Sequence, residues 1–345
     1  MVYLIILLAL LIIVFVSLLV LYCYHMMESF QPECVEQSLC TCDTSSLRHT
    51  VLYVYWLYKT EPPLAQFDAE DITQRFKDVI DSGYQILNLA FYQYGDPDYV
   101  GSFGKFLWLP DDNKRIIVDY AHGRNVKILI SIGGAAGTAS FSGVDYRDIA
   151  DDLETYINTY NLDGIDVDIE APQLFPMITQ LTNYLGQKWN GTHMITHAPQ
   201  SANFSDNKGA STDYFTVYKG CGQYIDLLNV QFYNQGCKHE TYEDIFVPFT
   251  VQCWNIAWIS TGYDSQAPLG SVIPLDKIIV GKPICLPPCP YGGGNGFVDP
   301  NTLGQWFKRA NDEIGWSTGL MIWAHVPDED TAKNYLVSVH QGFTG

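Results

Sequence analysis

The chain has 345 residues, with 38 acidic against 19 basic side chains and a formal charge of −19. Apolar residues make up 47% of it, an ordinary share for a packed globular protein, and the length suits one large domain behind a short N-terminal segment. A surface this negative repels phosphate backbones, which argues against nucleic acid as a partner and leaves neutral or cationic ligands.

In chain order, the first feature is Val2–Tyr22, an apolar run without a single charge. About 20 such residues in a helix span a bilayer core. A cleaved signal peptide has a basic start, a shorter apolar stretch and a small-residue cleavage site; none of these is clear here. Residues 1–24 are therefore expected to form an uncleaved transmembrane signal anchor, with secretion as the outcome if the segment is removed. No Lys or Arg follows until Arg48, and Glu28, Glu33 and Glu36 lie beyond the run. The positive-inside rule has little to act on, and a single-pass anchor with the large domain extracellular or lumenal is expected. Residues 25–48 are polar, bear cysteines and lack periodicity, so they read as a stalk.

Two sequons, Asn190-Gly191-Thr192 and Asn203-Phe204-Ser205, fit that side of the membrane. So do nine cysteines, many for a reducing compartment. Cys23 sits at the membrane edge, free or lipid-bearing. The other eight suffice for up to four disulfides, whose connectivity stays open. No cysteine pair has zinc-ligand spacing beside histidines, so no metal site is expected; no other cofactor is expected either.

From His49 onward, short β-rich runs recur. Strands are expected at Val51–Tyr58, Gln85–Tyr92, Val126–Ile132, Gly164–Glu170, Met194–Ala198, Leu227–Tyr233, Ile278–Ile284 and Gly319–Ala324. Helical patterns are clearest at Ala69–Asp81, Asp111–His122, Tyr146–Tyr160 and Pro172–Trp189. Alternating strands and helices argue for a parallel α/β fold, and several strands are apolar throughout, as when both faces are covered. Eight repeats over residues 49–345 match a (β/α)8 TIM barrel. An open doubly wound sheet is the alternative, but no strand here leads into a phosphate-binding glycine loop.

The fourth strand carries Asp163-Gly164-Ile165-Asp166-Val167-Asp168-Ile169-Glu170. With a period of two, Asp166, Asp168 and Glu170 share one face, and Ile165, Val167 and Ile169 the other. In a barrel the aliphatic set packs on the helices and the acids face the axis. Three inward carboxyls lose water and repel one another, so at least one should hold its proton. A carboxylic acid kept protonated near neutral pH is a general acid. Glu170 stands at the C-terminal end of the strand, where barrel active sites lie, and has the longest reach. A calcium loop is the competing reading, but the EF-hand position requiring Gly is Ala171 here.

This octapeptide resembles the signature of glycoside hydrolase family 18, the chitinases. The resemblance extends to Tyr55-Trp56, Asn88–Phe91, Lys127–Gly134, Ala198-Pro199-Gln200, Val230–Asn234 and Gly319–Trp323, in the family's strand order. It is nearest the plant class III and fungal subgroup.

The resemblance implies hydrolysis of β-1,4-linked N-acetylglucosamine in chitin with retention of configuration. The substrate's acetamido oxygen is the nucleophile, an exception to the two-carboxylate scheme. Glu170 would protonate the leaving oxygen. Asp168 would accept from the acetamido N–H and stabilise the oxazolinium ion, and Asp166 would share a proton with Asp168. Tyr233 would donate to the acetamido oxygen. Gln231, Asn234, Phe91, Tyr55 and Trp323 would bind the sugar, Tyr55 as a wall and Trp323 as the floor. Cis peptides are implied at Ala90–Phe91 and Trp323–Ala324. With 23 Tyr, 17 Phe and 8 Trp, rings for such a cleft are plentiful.

Lys282, His197 and His325 depart from the subgroup's pattern. Both histidines read as hydrogen-bonded structural residues, with His325 on the face of Trp323. Two other activities stay open: an endo-β-N-acetylglucosaminidase acting on N-glycan cores, and a non-hydrolytic chitinase-like lectin. Such lectins lose the glutamate that Glu170 represents.

Overall fold

Eight apolar runs form strands that pair in parallel and in chain order: β1 (His49–Val54), β2 (Ile86–Tyr92), β3 (Lys127–Gly133), β4 (Gly164–Asp168), β5 (Met194–His197), β6 (Leu227–Gln231), β7 (Ile278–Pro283) and β8 (Gly319–Trp323). β8 pairs back onto β1, so the sheet closes into the expected barrel. The structure, a computed structural model, describes residues 47–95, 98–135, 137–204, 213–247, 254–327 and 329–345. The expected anchor (1–24) and nearly all of the expected stalk (25–48) lie outside these residues. None of the described helices is long and apolar enough to cross a membrane.

The helices between and after the strands are α1 (Ala69–Ile80), α2 (Ser102–Trp108), α3 (Asp111–His122), α4 (Thr138–Phe141), α5 (Tyr146–Tyr160), α6 (Phe175–Trp189), α7 (Tyr214–Cys221), α8 (Tyr242–Phe246), α9 (Ile256–Thr261), α10 (Pro300–Ile314) and α11 (Thr331–Thr344). The side chains of Asp68, Asp145, Asp213 and Asp299 accept from first-turn N–H groups of α1, α5, α7 and α10. Such caps satisfy donors that a helix start leaves unpaired. The helix expected over Pro172–Trp189 begins instead with a 3-10 turn at Pro172–Leu174, and α6 proper starts at Phe175. Pro176 lies in its first turn, the place where the missing N–H and the ring are tolerated. The sequence reading singled out neither α10 nor α11. They approach closely because a Cβ on Gly304 or Gly342 would come 2.0 Å from a carbonyl oxygen of the opposite helix.

Side-chain alternation divides the strands as expected. Leu52, Val54, Ile130, Ile165, Val167, Val230 and Ile322 pack outward with Phe76, Leu153, Leu181 and Phe307 of the helices. Val51, Ile86, Leu129, Leu227, Ile279 and Met321 fill the axis. The expected first strand ran to Tyr58, but β1 ends at Val54, and Tyr55 and Trp56 follow it in the loop at the C-terminal mouth.

Of the cysteines, Cys285 and Cys289 form a disulfide with Cα atoms 6.1 Å apart, and Cys237 is also disulfide-bonded. Cys221 is a buried free thiol whose burial pushes it up to about 12, which leaves it unreactive. Cys23, Cys34, Cys40, Cys42 and Cys253 lie outside the described residues. Of the sequons, Asn190 ends α6 in the left-handed region and is exposed. Asn203 is half-buried, and its side-chain oxygen accepts from Gln200 N.

Candidate active site

The acidic strand divides its work between the two ends of the barrel. Asp163 belongs to the N-terminal end, where Oδ2 accepts from Ile128 N (2.8 Å) and meets His122 Nε2 (3.0 Å). It ties β3 to β4 and takes no part in the mouth.

Asp166 is fully buried in the axis. Its Oδ2 accepts from Tyr53 OH (2.5 Å) and Ser131 Oγ (2.8 Å), and its Oδ1 from Thr196 Oγ1 (2.6 Å) and Asn229 Nδ2 (3.1 Å). Burial raises its pKa above the ordinary carboxylate value, and these donors work against the rise. Four donors suit an ionised carboxylate, which accepts and cannot donate.

One turn of the alternation higher, Asp168 accepts from Gln231 Nε2 (3.0 Å). Burial, then the charges of Glu170 and Asp166, push this carboxyl well above its usual range. Asp166 and Asp168 are not hydrogen-bonded to each other in this structure. The lone pairs of Asp166 are taken by its own four donors, and Asp168 turns toward Gln231.

The strand ends at Asp168, so period-two alternation does not by itself aim Glu170. Two amides do. Gln200 Nε2 donates to Oε2 (2.8 Å), and Gln231 Nε2 to Oε1 (3.3 Å). Burial raises the Glu170 pKa, and both amides hold it back. Gln231 Nε2 also donates to Ala198 O (3.1 Å), so one amide anchors both upper acids to the end of β5.

These acids open into a cleft of about 460 Å³. Its lining includes Asp168, Glu170, Gln231, Tyr233, Asn234, Tyr55, Phe91 and Trp323. The structure thus gathers every residue expected at the site, with Asp166 supporting from below rather than facing the cleft. Trp323 stacks on Phe91 with centroids 5.7 Å apart and planes at 25°, and Tyr55 and Trp56 lie beside them. Such rings offer flat apolar faces. Both implied cis peptides, Ala90–Phe91 and Trp323–Ala324, are present. Burial, with the acids nearby, raises Tyr233 well above its usual pKa, so it stays a donor.

The glycines after β3 are required by this crowding. Gly133 and Gly134 have φ of 106° and 72°. A Cβ on Gly134 would lie 2.6 Å from the Phe91 ring, and one on Gly133 2.7 Å from Asp168 O. Positive φ and close approach together leave no other residue type.

Sequence reasoning assigned no role to Tyr53, Thr196, Asn229 or Gln200. Each of the first three stands on the inward face of its strand, which alternation could have marked. Their convergence on Asp166 depends on register, as in the side-by-side pairing of Ser131, Asp166 and Thr196. Asp98 and Trp56 also face the cleft, and Tyr55 OH donates to Asp98 Oδ2 (2.6 Å).

The departing residues have clear places. His197 points outward, with Nε2 bonded to Thr182 Oγ1 (2.9 Å) and Nδ1 to Tyr214 OH (2.6 Å). Burial lowers its pKa to about 3, so it is a neutral structural group as expected. His325 does not share the face of Trp323. It lines a separate hollow with Arg75 and Glu329, because β8 ends at Trp323 and the alternation ends with it.

Buried acids with raised pKa values at a barrel mouth, beneath ring faces suited to sugars, are the arrangement of a glycoside hydrolase. The sequence matches the family model described as Glycosyl hydrolases family 18 over residues 52–284. Endochitinase 4 of Metarhizium anisopliae is 24% identical over 300 residues, covering 76% of this chain and 95% of that protein. Endochitinase 37 of Trichoderma harzianum is 25% identical over 293 residues, covering 74% and 79%. The fold is shared with a crystal structure of a family 18 chitinase from Pseudoalteromonas aurantia, with a TM-score of 0.61 at 21% identity, covering 84% of this chain and 99% of that one. The chain belongs to the glycosyl hydrolases of family 18, as a hydrolase of the chitinase type.

Proposed function

We propose that this protein cleaves β-1,4-linked N-acetylglucosamine polymers such as chitin, with Glu170 as acid and base and the substrate's own acetamido group as nucleophile. One observation carries the reading: Asp168 and Glu170 share the amide of Gln231. Both acids therefore stand on one wall of the cleft. A two-carboxylate retaining enzyme needs a nucleophile across the sugar from its acid, about 5–5.5 Å away. In the proposed mechanism Asp168 instead accepts from an acetamido N–H.

The sugar rests on Trp323 and Phe91. Glu170, whose pKa burial raises, gives its proton to the departing glycosidic oxygen. The acetamido oxygen attacks the anomeric carbon as the glycosidic bond breaks. Tyr233 donates to that oxygen and fixes its line of attack. Positive charge spreads over the anomeric carbon and the acetamido group, and anionic Asp168 stabilises it. Glu170, now ionised, takes a proton from the water that opens the ring on the same face.

The reading is tested by digesting chitin oligomers and a high-mannose glycopeptide side by side, following the products by proton NMR. Oligomer cleavage with the β-anomer appearing first is the expected result. Initial release of the α-anomer, or glycopeptide cleavage without oligomer cleavage, would overturn it.

The apolar run at residues 2–22 supports a further part of the proposal, that a membrane anchor holds the barrel on the extracellular or lumenal side. Protein that stays with membranes after alkaline carbonate extraction would fit; full release into the supernatant would not.

A further inference from the structure

We propose that Lys282 is a positioning residue for catalysis, clipping together the two ends of the segment that carries Tyr233. The proposal rests on the role given to Tyr233 above. Lys282 lies on the outward face of β7 and is fully buried. Its Nζ donates to Phe232 O (3.0 Å) and His239 O (2.7 Å). Between those carbonyls runs the exit of β6, with Tyr233 and Asn234 facing the cleft.

The clip has a second arm. Asn234 N donates to Asn295 O (2.9 Å), and Asn295 N to Asn234 Oδ1 (2.9 Å). Gly296 then packs so closely that a Cβ there would lie 2.9 Å from Phe232 O. The exit of β6 is thus held from β7 by an amine and from the 290s loop by an amide. Burying an amine is costly, and leaving two buried carbonyls unpaired is costly as well. An apolar side chain at 282 would incur the second cost and lose the tie.

The groups facing this amine are His239, Glu240 and Asp244. Burial lowers Lys282 to about 7, and the acids Glu240 and Asp244 hold it up. His239 is lowered to about 4 by burial and by Lys282 itself. A neutral amine still has two N–H groups for two carbonyls, so the clip survives on either side of neutrality.

Lys282→Met keeps the stem and removes the donors. On chitin oligomers we expect kcat to fall on the order of tenfold with KM within about twofold, since misplacing one catalytic group costs the transition state more than the ground state. In a Tyr233→Phe background the same substitution should cost less than about twofold, because coupled residues do not add. Unchanged kcat in Lys282→Met, or losses that multiply in the double variant, overturn the proposal. Wild-type kcat in Tyr233→Phe alone would sink the role of Tyr233 instead. If Lys282→Met does not give a cooperative melt, Lys282→Gln, which keeps a shorter donor, is measured in its place. Failure of both to fold makes the lysine a stabilising residue only and ends the proposal.

Discussion

Glu170→Gln should retain the fold and bind chitin oligomers while losing hydrolysis by a factor on the order of 10²–10⁴, the usual worth of a positioned acid–base group. The substitution keeps side-chain volume and one acceptor oxygen, which serves Gln200 or Gln231, while the new amide NH2 meets the other, which must turn away. It removes the carboxyl that the proposed mechanism uses twice, first as an acid to release the leaving oxygen and then as a base to activate water. A substrate whose leaving group is an acidic aryl alcohol needs little protonation, so its first step should be largely spared. Burst kinetics on an aryl glycoside, beside steady-state rates on oligomers, therefore separate loss of the acid from general damage. Oligomer turnover near wild type would remove Glu170 from the chemistry. Equal losses on both substrates would point to a distorted cleft.

Asp168→Asn carries the second large effect, and it acts in opposite directions on rate and stability. An amide cannot supply negative charge to the developing oxazolinium ion, so kcat should fall by about 10²–10³, as when one electrostatic stabiliser is removed. Stability should rise. The Asp168 carboxyl is raised well above its usual range by burial and by the neighbouring acids. In the window between its unfolded and folded values, the folded chain binds the extra proton. Stability is therefore lost as pH rises through that window, and asparagine has nothing to lose. The variant should melt above wild type at pH 7, with the gap closing as pH falls to 4 and below. Calorimetry at both pH values checks this; a lower melting temperature for the variant at pH 7 would mean that the buried charge stabilises the fold. A site that costs stability to keep acids together is a familiar compromise.

Both results bear on how much of the site was legible in advance. The barrel was readable because strand apolarity and helix amphipathicity are local patterns, each set by which side of the chain must leave water. The acidic motif was readable because alternation puts Asp166 and Asp168 on one face whatever else surrounds them. Alternation carries no information where strands stop. Glu170 lies beyond β4, and His325 beyond β8, so neither side chain's direction was set by period. The donors that close on Asp166 come from four other strands, and their meeting depends on the stagger of the closed sheet.

The sequence by itself determined the order of the strands, the inward row of acids and the residue types lining the mouth, because these follow from local periodicity and from motifs a few residues long. Tertiary structure alone decided which donors close on Asp166, that one glutamine amide joins Asp168 to Glu170, and that a buried lysine lies behind Tyr233. Those contacts join residues 30 to 113 positions apart. Only barrel closure, which sets every strand's register against its neighbours, brings them within hydrogen-bond reach.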